Sequence, residues 1–300
     1  MPKTAVFGLG AMGYGIACSI LRDGQTTFGF DIEPAQMARF CEEGGTEGRI
    51  EDIADTLDAV AVVVLNAAQT EAVLFGEFGV VPMLKKGAVV LACATVPPEF
   101  ARAMEARCAT QGVLYLDAPI SGGAVKSAQG RLSIMASGTP EAFDAAKPVL
   151  DAIAETVFQL GDKAGPGSAM KAANQLLAGV HIATMAEALT FGMTQGVTPD
   201  RFVEVISKCA GSSWMLENRA PHIVDGDYTP LSAVNIWPKD LGIVLEIAQA
   251  AQFDAPITTA ALQQFNAAVA MGLGREDDAA VAKVYARSAG LTLPGEDLDI

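Results

Sequence analysis

Histidine is scarce in this sequence: two residues, His181 and His222, in 300. A three-histidine metal site is therefore excluded, and any imidazole proton shuttle would rest on one of these two, both of which read as structural. The five cysteines, Cys18, Cys41, Cys93, Cys108 and Cys209, are odd in number and form no CxxC pair. That argues against a disulfide framework or thiolate zinc site and for free thiols in a reducing cytoplasm. No metal site is read. Basic clusters are missing as well: 20 basic residues face 35 acidic ones, for a net charge of −15, which excludes a nucleic-acid partner. Although 51% of residues are hydrophobic, the longest apolar run, Ala59 to Leu65, falls short of the roughly 18 to 20 residues of a membrane span. The opening "MPKTAVFGLG" has no signal-peptide pattern, so the expectation is a cytoplasmic chain without a membrane partner.

The first half alternates strand and helix patterns. Strands read at 3–8, 26–31, 58–66, 87–95, 112–119 and 132–138, with helices at 11–24, 33–45, 97–112 and 139–154. Such alternation predicts a doubly wound, mainly parallel sheet of Rossmann type. After "GDKAGPG" (161–167) the chain reads helical: a long segment at 168–195, roughly 40 Å at 1.5 Å per residue, then helices near 198–209, 239–252 and 256–271. The expected fold class is α/β: a dinucleotide-binding domain over 1–164, then an all-helical domain over 165–300 for substrate binding and oligomerisation, linked by the long interdomain helix. The tail, 294–300, reads as loose.

"GLGAMG" places Gly8, Gly10 and Gly13 in G-x-G-x-x-G spacing, between a strand and a helix, with Leu9, Ala11 and Met12 completing the loop. Gly8 serves the tight turn, Gly10 the close approach of a pyrophosphate, and Gly13 the packing of helix on strand. Asp31 ends the next strand, where a carboxylate accepts from ribose hydroxyls and repels a 2′-phosphate. Ile32 follows it in place of a phosphate-binding arginine. The expected cofactor is NAD.

"DAPISGGAVKSAQG" (117–130) follows a strand, and Ser121, Gly122 and Gly123 offer a hydroxyl and two unencumbered N–H groups to a carboxylate; Lys126 reads as solvated. In "GSAMKAANQ" (167–175), Ser168, Lys171 and Gln175 share one helical stripe, with Asn174 beside it. Most other faces of that helix are apolar, and a buried ammonium needs an anion or a hydrogen-bonding ligand; a crevice between the domains would supply one. Hydride transfer from an alcohol also needs a proton carrier on oxygen, and a lysine of lowered pKa can serve. "NIWPKDLG" (235–242) adds Lys239 and Asp240 at a helix start.

Together, "GLGAMGYGIA", "DAPISGGAVKSAQGRLSIMASG", "GPGSAMKAANQ" and "KDLG" resemble the β-hydroxyacid dehydrogenase family nearly end to end. Within it, "LNAAQTEAVLFG", "NQLLAGVHIATMAEAL", "SWMLENR", "GDYTPLSAV" and "EDDAAV" are most similar to the members acting on L-threonate. The resemblance implies NAD-dependent oxidation of a small sugar acid, L-threonate to 2-oxo-tetronate. It also implies Lys171 as catalytic lysine with Gln175 beside it, Ser121, Gly122, Gly123, Asn174 and Trp214 toward the substrate, and Leu65, Asn66, Thr95 and Lys239 toward the cofactor. A homodimer or homotetramer is implied too. Departures are Gln175 for the family's usual asparagine, Ala94 for a serine, and Asn235, Trp237 and Pro238 before Lys239; Trp237 is expected to narrow the pocket. Two alternatives stay open: a reductase of a short semialdehyde (tartronate or succinic) or another 3-hydroxyisobutyrate-type dehydrogenase, and a non-enzymatic NAD-binding sensor. Imine reductases share the architecture but lack the lysine.

Overall fold

Strand and helix alternate from the first residues: β1 (Lys3–Phe7), α1 (Gly13–Arg22), β2 (Thr26–Phe30), α2 (Pro34–Glu42), a single turn α3 (Ile50–Ile53), β3 (Ala59–Val62), α4 (Ala67–Phe75), β4 (Val89–Ala92), α5 (Pro98–Thr110) and β5 (Leu114–Asp117). The computed structural model describes residues 1–296. The five strands pair in the order β2-β1-β3-β4-β5, all parallel. Period-two alternation sorts their residues into two cores. Val6, Ala61, Leu91 and Leu116 lie side by side on one face, against Ile16 and Ile20 of α1. The adjacent rung, Ala5, Val60, Val90 and Tyr115, faces the other side, with Met104 and Cys108 of α5. Burial on both faces explains why these strands read as unbroken apolar runs.

The strand series then divides. β6 (Ile120–Ser121), β7 (Leu132–Ala136) and β8 (Ala154–Gln159) form a second sheet, with α6 (Gly123–Ala128) and α7 (Pro140–Ile153) between them. β6 is antiparallel to β7, and β7 parallel to β8. Pro119, which has no N–H to give a ladder, separates β5 from β6, and an isolated bridge from Asp117 to Ser137 joins the two sheets.

The long helix α8 spans Pro166–Thr194. Two compact units divide inside it, between Ala172 and Ala173, so its first turns, with Ser168 and Lys171, belong to the sheet unit. The second unit continues with α9 (Pro199–Ile206), α10 (Trp214–Asp225), α11 (Ile236–Ala250), α12 (Pro256–Ala270) and α13 (Ala282–Ala289). Its core gathers Ile182, Met185 and Leu189 of α8 with Trp237 and Phe265. By length and composition α8 could cross a bilayer, its best window having a mean hydropathy of 1.4. Small residues keep each apolar run in it short while the average stays high. Buried Ile182, Ala183, Met185, Ala186 and Leu189 are nonetheless part of a protein core. Of the tail, Gly295 is packed so closely on Gly226 that a Cβ there would meet the Gly226 oxygen at 2.7 Å; residues 297–300 lie outside the described residues.

Candidate active site

In a 2-1-3-4-5 sheet the chain leaves β1 and β3 in opposite directions, which opens a crevice at their carboxyl ends. The glycine loop follows β1 there. Gly8 has φ +92°, and a Cβ on it would strike the Val63 carbonyl at 2.3 Å. A Cβ on Gly13 would meet the Gly8 oxygen at 1.8 Å, whereas one on Gly10 would meet nothing within 4 Å. Gly8 and Gly13 therefore let helix and strand close up, and Gly10 leaves an open backbone face for a pyrophosphate. No side chain caps the N-terminus of α1, so its first N–H groups suit an anion. A dinucleotide fits these residues.

Asp31 stands at the end of β2. Its Oδ2 accepts from the Leu9 N–H at 2.6 Å and its Oδ1 from the Glu33 N–H at 2.9 Å. The carboxylate thus holds the glycine loop in shape and keeps lone pairs for a ribose. After β3, Asn66 caps α4 by accepting from the Gln69 N–H at 2.9 Å, while Gln69 returns its amide oxygen to the Leu65 N–H at 2.8 Å. Thr95 is half-buried beyond β4. Because the sheet is parallel, all three segments lie at one edge of the first unit.

The loop after β5 brings Ser121 onto β6 and Gly122 and Gly123 into left-handed φ of 137° and 75°. A Cβ on Gly123 would meet nothing within 4 Å. Lys126 is half-buried and lies 3.8 Å from Glu155.

Lys171 is 8% exposed, one turn beyond Ser168 on α8. That first turn is fastened by Asp117, a residue to which the sequence alone gave no role. Its Oδ2 accepts from the Gly165 N–H at 3.0 Å and the Ser168 N–H at 2.8 Å, and its Oδ1 from the Ser168 hydroxyl at 2.7 Å. Ser137 donates its hydroxyl to Oδ2 at 3.2 Å and accepts from the Gly167 N–H at 2.9 Å. Burial pushes the Asp117 carboxyl above its ordinary value, and the bonds from Ser168, Gly165 and Ser137 oppose that push. The signal was an acid at a strand end followed by Ala-Pro, legible only once its partners some 50 residues away are known.

In the second unit, Gln175 donates its amide to Asp240 Oδ2 at 2.5 Å and accepts from the Asn174 amide at 3.0 Å. Asp240 Oδ1 lies 2.6 Å from the Lys239 ammonium. Gln175 is thus engaged on both amide atoms by protein groups, through the extra methylene that separates it from asparagine. Trp214 begins α10 and is 58% exposed. Trp237, expected to narrow a pocket, is instead 3% exposed in the helical core, stacked on Phe265 with ring centroids 5.5 Å apart and donating to Asp278 Oδ2 at 2.9 Å. His222 is tied to the Asp227 carbonyl at 2.7 Å. Among the described residues no three His, Cys, Asp or Glu side chains gather as metal ligands would.

Comparison with known proteins matches residues 3–161 to the NAD binding domain of 6-phosphogluconate dehydrogenase, and residues 165–285 to the family described as NAD-binding of NADP-dependent 3-hydroxyisobutyrate dehydrogenase. The chain is 49% identical to L-threonate dehydrogenase of Cupriavidus necator over 292 residues, covering 97% of both. It is 45% identical to L-threonate dehydrogenase of Escherichia coli K12, over 97% of this chain and 96% of the relative. Among solved structures, 3-hydroxyisobutyrate dehydrogenase of Salmonella typhimurium matches with a TM-score of 0.89 and 44% identity, over 95% of this chain and 100% of that one.

Proposed function

This chain belongs to the β-hydroxyacid dehydrogenase family, and from that premise we propose that it oxidises L-threonate to 2-oxo-tetronate with NAD. It is a dehydrogenase that uses a nicotinamide dinucleotide and acts on the hydroxyl of a small hydroxy acid. The L-threonate reading rests on the near full-length identity to relatives of that name. Asp31 at the end of β2 supports NAD over NADP, since its carboxylate would repel a 2′-phosphate.

The observation that carries the mechanism is Lys171, a buried amine one turn into α8, in the unit that also holds the glycine loop and Ser121–Gly123. Bound NAD supplies the acceptor for the hydride that leaves the substrate carbon with its electron pair. Ser121 and the N–H groups of Gly122 and Gly123 hold the substrate carboxylate. Lys171, in its neutral form, takes the hydroxyl proton as the C–O bond becomes a carbonyl, and returns it in the reverse direction. Gln175 steadies Lys239 by way of Asp240; the family resemblance assigns Lys239 to the cofactor and Asn174 and Trp214 to the substrate.

A homodimer or homotetramer is the reading that Leu177, Thr184 and Phe191 support, recurring every seven residues on α8 with Leu177 55% and Phe191 66% exposed. Five free thiols and the NAD site favour the cytoplasm. The likeness to 3-hydroxyisobutyrate dehydrogenase favours 3-hydroxyisobutyrate as the second reading. Initial rates with L-threonate, 3-hydroxyisobutyrate, and tartronate and succinic semialdehydes, each with both cofactors, test the choice. L-threonate with NAD is expected to give the highest kcat/KM; a higher value for 3-hydroxyisobutyrate or either semialdehyde overturns it.

A further inference from the structure

Asp117 lies in neither the cofactor loop nor the carboxylate cradle, yet its side chain and backbone lead to both halves of the chemistry. Its backbone ends β5 and, four residues on, delivers Ser121. Its carboxylate takes three hydrogen bonds from the entry of α8 and one from Ser137. Four donors converge on this carboxylate, which is 1% exposed, whereas Ser213 caps α10 with a single bond, accepting from the Leu216 N–H. Side chains three residues apart on a helix are neighbours, and each leans toward the N-terminus. Lys171 therefore leans back over the turn that Asp117 holds through Ser168.

We infer that Asp117 is the positioning residue of Lys171: through Ser168 it fixes the angle at which α8 presents the amine, and its buried negative charge sets the pH at which the amine becomes neutral. This rests on the reading of Lys171 as proton carrier. Asp117 is also felt by Arg102, Tyr115 and Cys93. Arg102 is engaged by Glu99, and Glu105 accepts from the Ala164 N–H at 3.0 Å. Residues 166–170 carry no charge, and the Asp117 carboxylate is bonded directly to that turn through Gly165 and Ser168. A nearby anion favours an ammonium; its removal favours the neutral amine at lower pH.

The test compares Asp117→Asn, Ser168→Ala and Lys171→Ala in the whole enzyme, reading NAD binding, kcat, and the pH profile of kcat/KM for oxidation. Asp117→Asn is expected to bind NAD normally, to lose about a hundredfold in kcat from a misplaced amine, and to move the alkaline rise about one pH unit lower. Ser168→Ala keeps the charge, so kcat is expected to fall about tenfold with the rise unmoved. An Asp117→Asn enzyme with the unaltered pH profile, while Lys171→Ala is inactive, overturns the inference and leaves the lysine reading standing. Should Asp117→Asn fail to fold or bind NAD, Ser168→Ala decides: lowered kcat with an unmoved rise supports the inference, and unaltered kcat overturns it. Near-normal turnover by Lys171→Ala overturns both.

Discussion

Single residues divide by how far away their partners lie. Gly8, Gly10, Gly13 and Asp31 were legible because a short loop and one strand end contain the whole device. The Asp31 carboxylate serves the Leu9 N–H and, in the proposed function, a ribose, so its loss removes two things at once. Asp31→Ala is expected to raise KM for NAD about tenfold, as the loss of a charge-assisted hydrogen bond does, and to narrow the preference over NADP. Fluorescence titration with both cofactors checks this, and unchanged affinities would contradict it. A tryptophan beside a candidate site reads as pocket lining, whereas the burial of Trp237 is set by Phe265 and Asp278, far along the chain. Asp117 was overlooked for the same reason.

At the scale of elements, the sequence pattern places the long helix at 168–195, and it runs Pro166–Thr194; its early start follows from Asp117 and Ser137 receiving the N–H groups of residues 165, 167 and 168. α10 was not singled out, since Pro221 sits inside it and interrupts the pattern a helix normally shows. Tertiary bonds compensate: Arg219 of α10 donates to Asp278 Oδ1 at 2.6 Å, and Trp237 of α11 to Oδ2. Burial, with the neighbouring Asp277, raises the Asp278 carboxyl to about 6 from 3.8, against the pull of Arg219. An acid raised on folding binds its proton more tightly in the folded state. Its contribution to stability is thus complete below about 4 and is lost as pH rises to about 6. In Asp278→Asn the urea midpoint is expected to vary less with pH across that window than in the unaltered protein; a midpoint varying as much or more would contradict the assignment.

For the whole molecule, alternation of strands and helices made the class of each half legible, because local periodicity encodes burial. It could not reveal that the strand series splits after Pro119, nor that the units divide within α8 at Ala172. Leu177 and Phe191, one face of α8, are among the large apolar side chains that the described residues leave exposed. Leu177→Glu would put a charge into a helix contact between copies, and light scattering is expected to show a smaller particle than the unaltered protein gives. An unchanged mass would place the subunit contact elsewhere.

The most direct measurement is the rate of NADH formation from L-threonate by Lys171→Ala, followed from neutral to alkaline pH beside the unaltered enzyme. The expected result is a loss of about a thousandfold, with the alkaline rise abolished and NAD binding retained. Turnover within a few-fold of the unaltered enzyme, rising with pH in the same way, would contradict the assignment of the proton to Lys171.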